Sequence, residues 1–135
     1  RYPTYRIGFS PKPHLSIATY GYNFELVRKA AIELLYEREI FSEIFLFSQL
    51  SPFDVSPLFE SLSRTHRLLT VEEGVVSLGW GSEVASRVIE SGLSNLRIRR
   101  IGAMNFPIAN TKSLEDIILP SELGIKQAII DLVNM

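Results

Sequence analysis

The chain has 135 residues, 46% of them hydrophobic and 21% charged, with no Cys, two His and a formal net charge of −1. That balance predicts one globular domain whose core needs no staples. It excludes a disulfide framework, a thiolate nucleophile and a Cys-based zinc site. It also argues against nucleic-acid partners, and no apolar run approaches the roughly 18 residues of a membrane span.

Tyr5–Phe9 and Leu15–Tyr20 are β-favouring runs separated by Ser10-Pro11-Lys12-Pro13-His14, and they read as a hairpin. Asn23 then stands as the N-cap of a helix running to about Arg38. Phe24, Val27, Ala31, Leu34 and Leu35 form its apolar stripe, opposite Glu25, Arg28, Lys29, Glu33 and Glu37. Glu43–Ser48 is apolar almost without alternation, the pattern of a strand covered on both faces of a parallel sheet. Ser51-Pro52 and Ser56-Pro57, with Asp54 as a capping acid, lead into a helix ending near His66. Arg67–Glu72 is another inner strand, and Gly74–Gly81 a glycine-punctuated connection. Ser82 is expected to cap the next helix, with Val84, Ala85, Val88 and Ile89 facing inward and Gly92 in a left-handed C-terminal position. Leu96–Ile101 is the last strand. Gly102–Ser113 reads as irregular and Leu114–Leu119 as a turn or two of helix before Pro120. From about Ser121 a final helix buries Ile125, Ala128, Ile129, Leu132 and Val133.

The alternation predicts an α/β three-layer sandwich: a five-stranded, mostly parallel sheet with one antiparallel edge strand and helices on both faces. Residues 1–135 read as a single domain. Because the chain opens on Arg1-Tyr2-Pro3 rather than Met, it is expected to be a fragment of something longer. With no Cys, a cytoplasmic setting is the expectation.

Ligands of open α/β sheets sit beyond the carboxyl ends of parallel strands, so Gly21-Tyr22-Asn23, Leu50-Ser51-Pro52 and Glu73-Gly74 are the places to look for chemistry. None is a catalytic set. Gly79-Trp80-Gly81-Ser82 lacks the Lys of a phosphate-binding loop, and Val84 replaces the third glycine of a dinucleotide fingerprint. These glycines are better read as allowing close approach to a neighbour. Glu72 and Glu73 are adjacent on a strand, so they point to opposite faces and cannot flank one substrate. One is expected to meet backbone donors or an Arg, and the other to end the strand. His66 has no nucleophile at a useful spacing and reads as a helix-end residue, and His14 as a turn residue. Arg97, Arg99 and Arg100 read as a solvated edge or a subunit contact. Trp80, expected at an exposed loop, is the best candidate for an interface anchor.

Ala18-Thr19-Tyr20-Gly21, Leu50-Ser51-Pro52-Phe53-Asp54, Arg67 to Gly74 (RLLTVEEG), Gly79 to Ala85 (GWGSEVA), and Pro107-Ile108 with Leu114-Glu115 and Leu119-Pro120 occur in family order. Through them the chain resembles the transketolase C-terminal domain, in the form found in the beta subunit of thiamine-diphosphate-dependent 2-oxo acid dehydrogenases of the pyruvate or branched-chain type. The resemblance covers Tyr5 to Val133. The Leu-Ser-Pro-x-Asp segment and the Pro-Ile tail favour this branch over transketolase and deoxyxylulose-phosphate synthase. The chain departs from the family at His66 and Leu78, where Gly is usual, and at Ala109, where a second Pro is common.

The resemblance implies oxidative decarboxylation of a 2-oxo acid with acyl transfer to lipoamide, carried out by the parent enzyme. It implies thiamine diphosphate and magnesium held on other domains, by a Gly-Asp-Gly motif that this chain lacks. No catalytic, cofactor or metal ligand therefore carries over. The expected role is assembly with other domains or subunits, as a homodimer or an α2β2-like complex, and docking to the acyltransferase core. Glu73, Gly74, Gly79, Trp80 and Gly81 are the candidate interface residues. Two alternatives stand beside this: a transketolase or deoxyxylulose-phosphate synthase relative, and a free-standing regulatory module binding a small anion at its strand-end loops.

Overall fold

In the computed structural model, which describes residues 3–104 and 119–135, five strands build one sheet of order β1-β3-β2-β4-β5. They are β1 (Thr4–Gly8), β2 (Leu15–Tyr20), β3 (Ser42–Phe47), β4 (Arg67–Val75) and β5 (Arg97–Ala103). The helices are α1 (Asn23–Arg38), α2 (Phe59–Thr65, entered through a 3-10 turn at Ser56–Leu58), α3 (Trp80–Glu90) and α4 (Glu122–Val133). The mostly parallel sandwich expected from the alternation is present, with β1 as the antiparallel strand.

The hairpin is not formed. β1 pairs with β3, not with β2. Both edges of β2 are taken by parallel neighbours, β3 and β4, so the free edge of β3 is the position left for β1. The Pro-rich connection is tied to the start of β3 instead: the His14 N–H donates to the Phe41 carbonyl at 2.7 Å, and the Phe41 N–H donates to His14 Nδ1 at 2.9 Å.

Because successive strand residues face opposite ways, the sheet has two cores. Leu15, Ile17, Ile44, Leu69 and Val71 meet α1 and α4 on one face. Ala18, Phe45, Phe47 and Leu68 meet α2 and α3 on the other. The apolar stripe of α1 buries Val27, Ala31 and Leu34 as expected, with Ala30 added and Phe24 only half-buried. In α3 the stripe is narrower than expected: Val84 and Val88 are buried, while Ile89 is 57% exposed. α4 buries Ile125, Ala128, Ile129 and Leu132, and the expected cap is in place, with Ser121 Oγ accepting the Gly124 N–H at 3.1 Å. Lys126 Nζ donates to Glu33 at 2.8 Å and to Glu37 at 3.0 Å, fastening α4 to α1. Under α2, Ser16 Oγ sits 2.6 Å from Ser61 Oγ and 2.8 Å from Thr65 Oγ1, a buried hydroxyl group satisfied within itself. The turn of helix expected over Leu114–Leu119 lies, apart from Leu119, outside the described residues.

Gly92 adopts the expected left-handed conformation after α3, with φ +96°. Two non-glycine residues also do so at sites where the resemblance leads one to expect Gly: His66, at φ +56°, closes α2, and Leu78, at φ +57°, tips the β4–α3 connection. A β-carbon in this region costs about 1–2 kcal/mol, and only part of that is recovered through the smaller unfolded-state freedom of a non-glycine residue. Leu78 is 98% exposed, so it gains no packing in return. Leu78→Gly is therefore expected to raise the unfolding free energy by about 0.5–1 kcal/mol in urea titrations. A loss of stability would contradict this account of the turn.

Candidate functional site at the strand-end crevice

The connection leaving β2 turns to α1 on one face, and the connection leaving β4 turns to α3 on the other. β2 and β4 are neighbours. Their carboxyl ends therefore flank the topological switch point, where an open α/β sheet forms its ligand crevice and where helix N-termini offer unpaired N–H groups to anions. In this chain the residues at that point are Tyr20, Gly21 and Tyr22 from β2 and its turn, and Glu72, Glu73 and Gly74 from β4.

Glu72 is 1% exposed and points to the α3 face. One carboxylate oxygen accepts the Trp80 N–H at 3.0 Å and the other the Gly81 N–H at 2.7 Å. It thus caps α3 from within the sheet, and Ser82, expected as the cap, lies inside the first turn instead. Gly79 is the N-cap residue and makes no side-chain cap bond. Ser82 Oγ instead accepts from Arg100 Nη1 at 2.6 Å, and the same guanidinium nitrogen donates to the Val76 carbonyl at 2.9 Å. Burial pushes the Glu72 carboxyl above its ordinary value, against the pull of the Gly81 and Trp80 N–H groups and the Arg100 charge.

The carboxylate fits only because its neighbours are small. A β-carbon on Gly79 would collide with Glu72 Oε1 and the Val75 carbonyl, and one on Gly81 would collide with Thr70 Oγ1 and lie 2.9 Å from Glu72 Oε2. A β-carbon on Gly102 would lie 2.9 Å from Glu72 Cγ. The close-approach reading of Gly79-Trp80-Gly81 holds, and the neighbour approached is Glu72.

Glu73 points to the other face and repeats the arrangement on α1. Its Oε2 accepts the Tyr22 N–H at 2.5 Å, and Tyr22 is the N-cap residue of α1. Asn23, expected as that cap, is instead the first helical residue, buried, with its Nδ2 unpartnered. Gly21 has φ +64°, and a β-carbon there would lie 2.8 Å from Glu73 Oε2, so the turn needs glycine for conformation and for space. Both adjacent acids therefore meet backbone donors, where the sequence pattern assigned that role to one of them.

Of the other candidate residues, Trp80 is not at an exposed loop. It opens α3 half-buried, with ring centroids 5.0 Å from Tyr20, 5.4 Å from Phe47 and 5.8 Å from Phe53. Gly81 is buried, Gly79 half-buried, and Glu73 and Gly74 are exposed. The two histidines stand at the amino ends of β2 and β4, away from the crevice. His66 closes α2, and its Nδ1 lies 3.3 Å from the Ser94 carbonyl. Among the described residues no group of three or more His, Cys, Asp or Glu could hold a metal ion, and no helix is long and apolar enough to cross a membrane.

The family model for the transketolase C-terminal domain matches residues 9–125. The chain belongs to the transketolase C-terminal domain family. Among curated proteins it is 29% identical over 125 residues to the mitochondrial pyruvate dehydrogenase E1 component subunit beta of Caenorhabditis elegans, covering 90% of this chain and 35% of that one. It is 33% identical over 92 residues to the pea (Pisum sativum) subunit of the same name, covering 67% of this chain and 26% of that one. The chain spans about a third of the length of the curated relatives it matches. Its fold is shared by solved structures. One is a split-gene transketolase described as an inactive beta4 tetramer, with TM-score 0.78 and 21% identity over 96% of this chain and 42% of that chain. Another is a 2-oxoglutarate:ferredoxin oxidoreductase from Magnetococcus marinus, with TM-score 0.63 and 15% identity over 97% of this chain and 20% of that chain.

In this family member Glu72→Ala strips two N–H groups of their acceptor and opens a cavity, and is expected to cost about 2–4 kcal/mol in chemical denaturation. Glu72→Gln keeps the shape and removes the titration. A carboxyl whose folded-state value is raised favours folding below its unfolded value of 4.5, and loses that contribution as pH rises through the folded value. Comparative denaturation should therefore show the stability difference moving in favour of Gln as pH rises from 4.5. Movement the other way would mean that the N–H groups and Arg100 outweigh burial.

Proposed function

We propose that this chain serves as the C-terminal domain of a thiamine-diphosphate-dependent 2-oxo acid dehydrogenase component, in which it organises the assembly and carries no catalytic residue. One observation carries the reading: at the switch point the protein's own Glu72 and Glu73 carboxylates accept N–H groups at the starts of α3 and α1 that an anionic ligand would otherwise use. A diphosphate brought there would meet two acids in place of free N–H groups. The residues present do not fit thiamine diphosphate, whose place in this reading is on other domains with magnesium. The same occupation weighs against a free-standing anion-binding module. The curated relatives are pyruvate dehydrogenase beta subunits, which supports oxidative decarboxylation of a 2-oxo acid as the reaction of the parent enzyme, with lipoamide as acyl acceptor.

The surface left at the strand ends suits docking. Glu73 and Gly74 lie at the rim with Tyr22, which is 79% exposed, and Leu78, in the connection that follows β4, is 98% exposed. Gly79, Trp80 and Gly81 support that rim from beneath. Its partners in this reading are the other domains or subunits of a homodimer or α2β2-like enzyme, and the acyltransferase core. Isothermal titration with thiamine diphosphate and magnesium is expected to give no binding to this chain, and to give binding once the cofactor-holding domains are supplied in one complex. Saturable binding to the chain by itself would overturn the proposal. Leu78→Asp should leave thermal stability within about 0.5 kcal/mol of wild type and weaken co-purification with those domains. Unchanged association would remove the rim from the interface.

A further inference from the structure

A second polar feature lies at the opposite end of the sheet from the crevice, where the parallel strands begin. An open cleft of about 280 Å³ separates β1 from α2. Its floor is Glu43, the second residue of β3, 3% exposed. The register sets Gly8 of β1 and Ser16 of β2 beside it on the α2 face. From β1, Arg6 Nη1 approaches one carboxylate oxygen at 3.4 Å, and from α2, Arg64 Nη2 approaches the other at 3.4 Å. Charge-assisted bonds of this kind ordinarily close to about 2.7–2.9 Å. The carboxylate therefore holds both guanidinium groups in place without using their donors up.

The remaining donor capacity is large. A guanidinium carries five N–H groups in a planar fork. The side chain of Arg6 is 62% exposed, and its contact with Glu43 is its only hydrogen bond among the described residues. Arg64 also donates to the Pro11 carbonyl at 2.9 Å, and its carboxylate neighbour Glu60, 3.9 Å away, is 85% exposed on the rim. Arg6 and Arg64 are balanced formally by Glu43 and the rim residue Glu60, so the grip on an anion would come from the unused guanidinium donors, which the buried Glu43 holds apart.

We propose that the Arg6–Glu43–Arg64 cleft binds a small oxyanion, a carboxylate or phosphate group, gripped by both guanidinium forks while Glu43 positions them. The group comes either from a free small molecule or from an acidic side chain of a partner chain. In the first case the cleft is a ligand site, and in the second it is a charged socket at an interface. The two share the same chemistry and differ in what carries the anion.

The test is an NMR titration of the full chain that follows the Arg6 and Arg64 Nε–H signals and the Gly8 amide, with ionic strength held constant by exchange against sodium chloride. Inorganic phosphate and acetate supply the free anion, and a capped hexaglutamate peptide supplies the carboxylate on a chain. Saturable shifts confined to these groups are expected, weakened about tenfold or more by Arg6→Gln and unaffected by Arg97→Gln on a distant strand. Arg64→Gln should behave like Arg6→Gln. Should it unfold the chain, the exposed Arg6 carries the comparison. Tighter binding of the peptide than of acetate assigns the anion to a partner chain, and equal or weaker binding assigns it to a small molecule. Shifts that fail to saturate with all three probes, or that survive Arg6→Gln, would overturn the proposal.

Discussion

Two neighbouring carboxylates at the end of β4 hold the helices of both faces to the sheet. The pleat sends Glu72 to the α3 side and Glu73 to the α1 side, and each receives N–H groups that a helix start cannot satisfy internally. Much of the local sequence follows from this. Gly21, Gly79, Gly81 and Gly102 surround the two acids, and a β-carbon at any of them would press on a carboxyl group or on the strand that presents it. Trp80 can start a helix against Tyr20, Phe47 and Phe53 because its own N–H is already taken by Glu72.

The same pair bears on function. A doubly wound sheet normally keeps its switch-point crevice for a ligand. Here the fold is retained and the N–H groups at the starts of α3 and α1 are taken up by Glu72 and Glu73, which is the ground for the structural role proposed above. The charged feature left open lies at the other end of the molecule, where Glu43 separates Arg6 and Arg64. One end of the sheet would then present exposed Tyr22, Glu73 and Leu78, and the other an arginine-lined cleft, so two surfaces of different chemistry are available to partners.

Most of the architecture was legible in the sequence because it rests on periodicity. The near-continuous apolar run at Glu43–Ser48 marked a strand covered on both faces, and the helical stripes located α1 and α4 within a residue or two, and α3 with its start placed three residues late. What escaped was whatever depends on distant partners. The hairpin expectation paired neighbours in the chain, whereas β1 was placed by the edge left over once β2 had two parallel partners. Asn23 and Ser82 are locally sound caps, but the real acceptors come from β4, 51 residues from Tyr22 in one case and 8 from Trp80 in the other. The clue available was the run of two acids followed by a glycine-rich turn, which pointed to backbone donors for only one of them. His66 and Leu78, where the resemblance leads one to expect Gly, hold a left-handed backbone that no local pattern announces. Arg6 and Arg64 lie 37 and 21 residues from Glu43, with no local pattern to announce them.

Native-state hydrogen exchange on Glu72→Ala and Glu73→Ala, read at the first-turn amides of the two helices, tests the double cap most directly. The account predicts a crossed result: Glu72→Ala releases Trp80 and Gly81 while Tyr22 keeps its protection, and Glu73→Ala releases Tyr22 alone. Equal loss at both helices from either substitution, or no loss at all, would contradict the claim that each acid holds its own helix to the sheet.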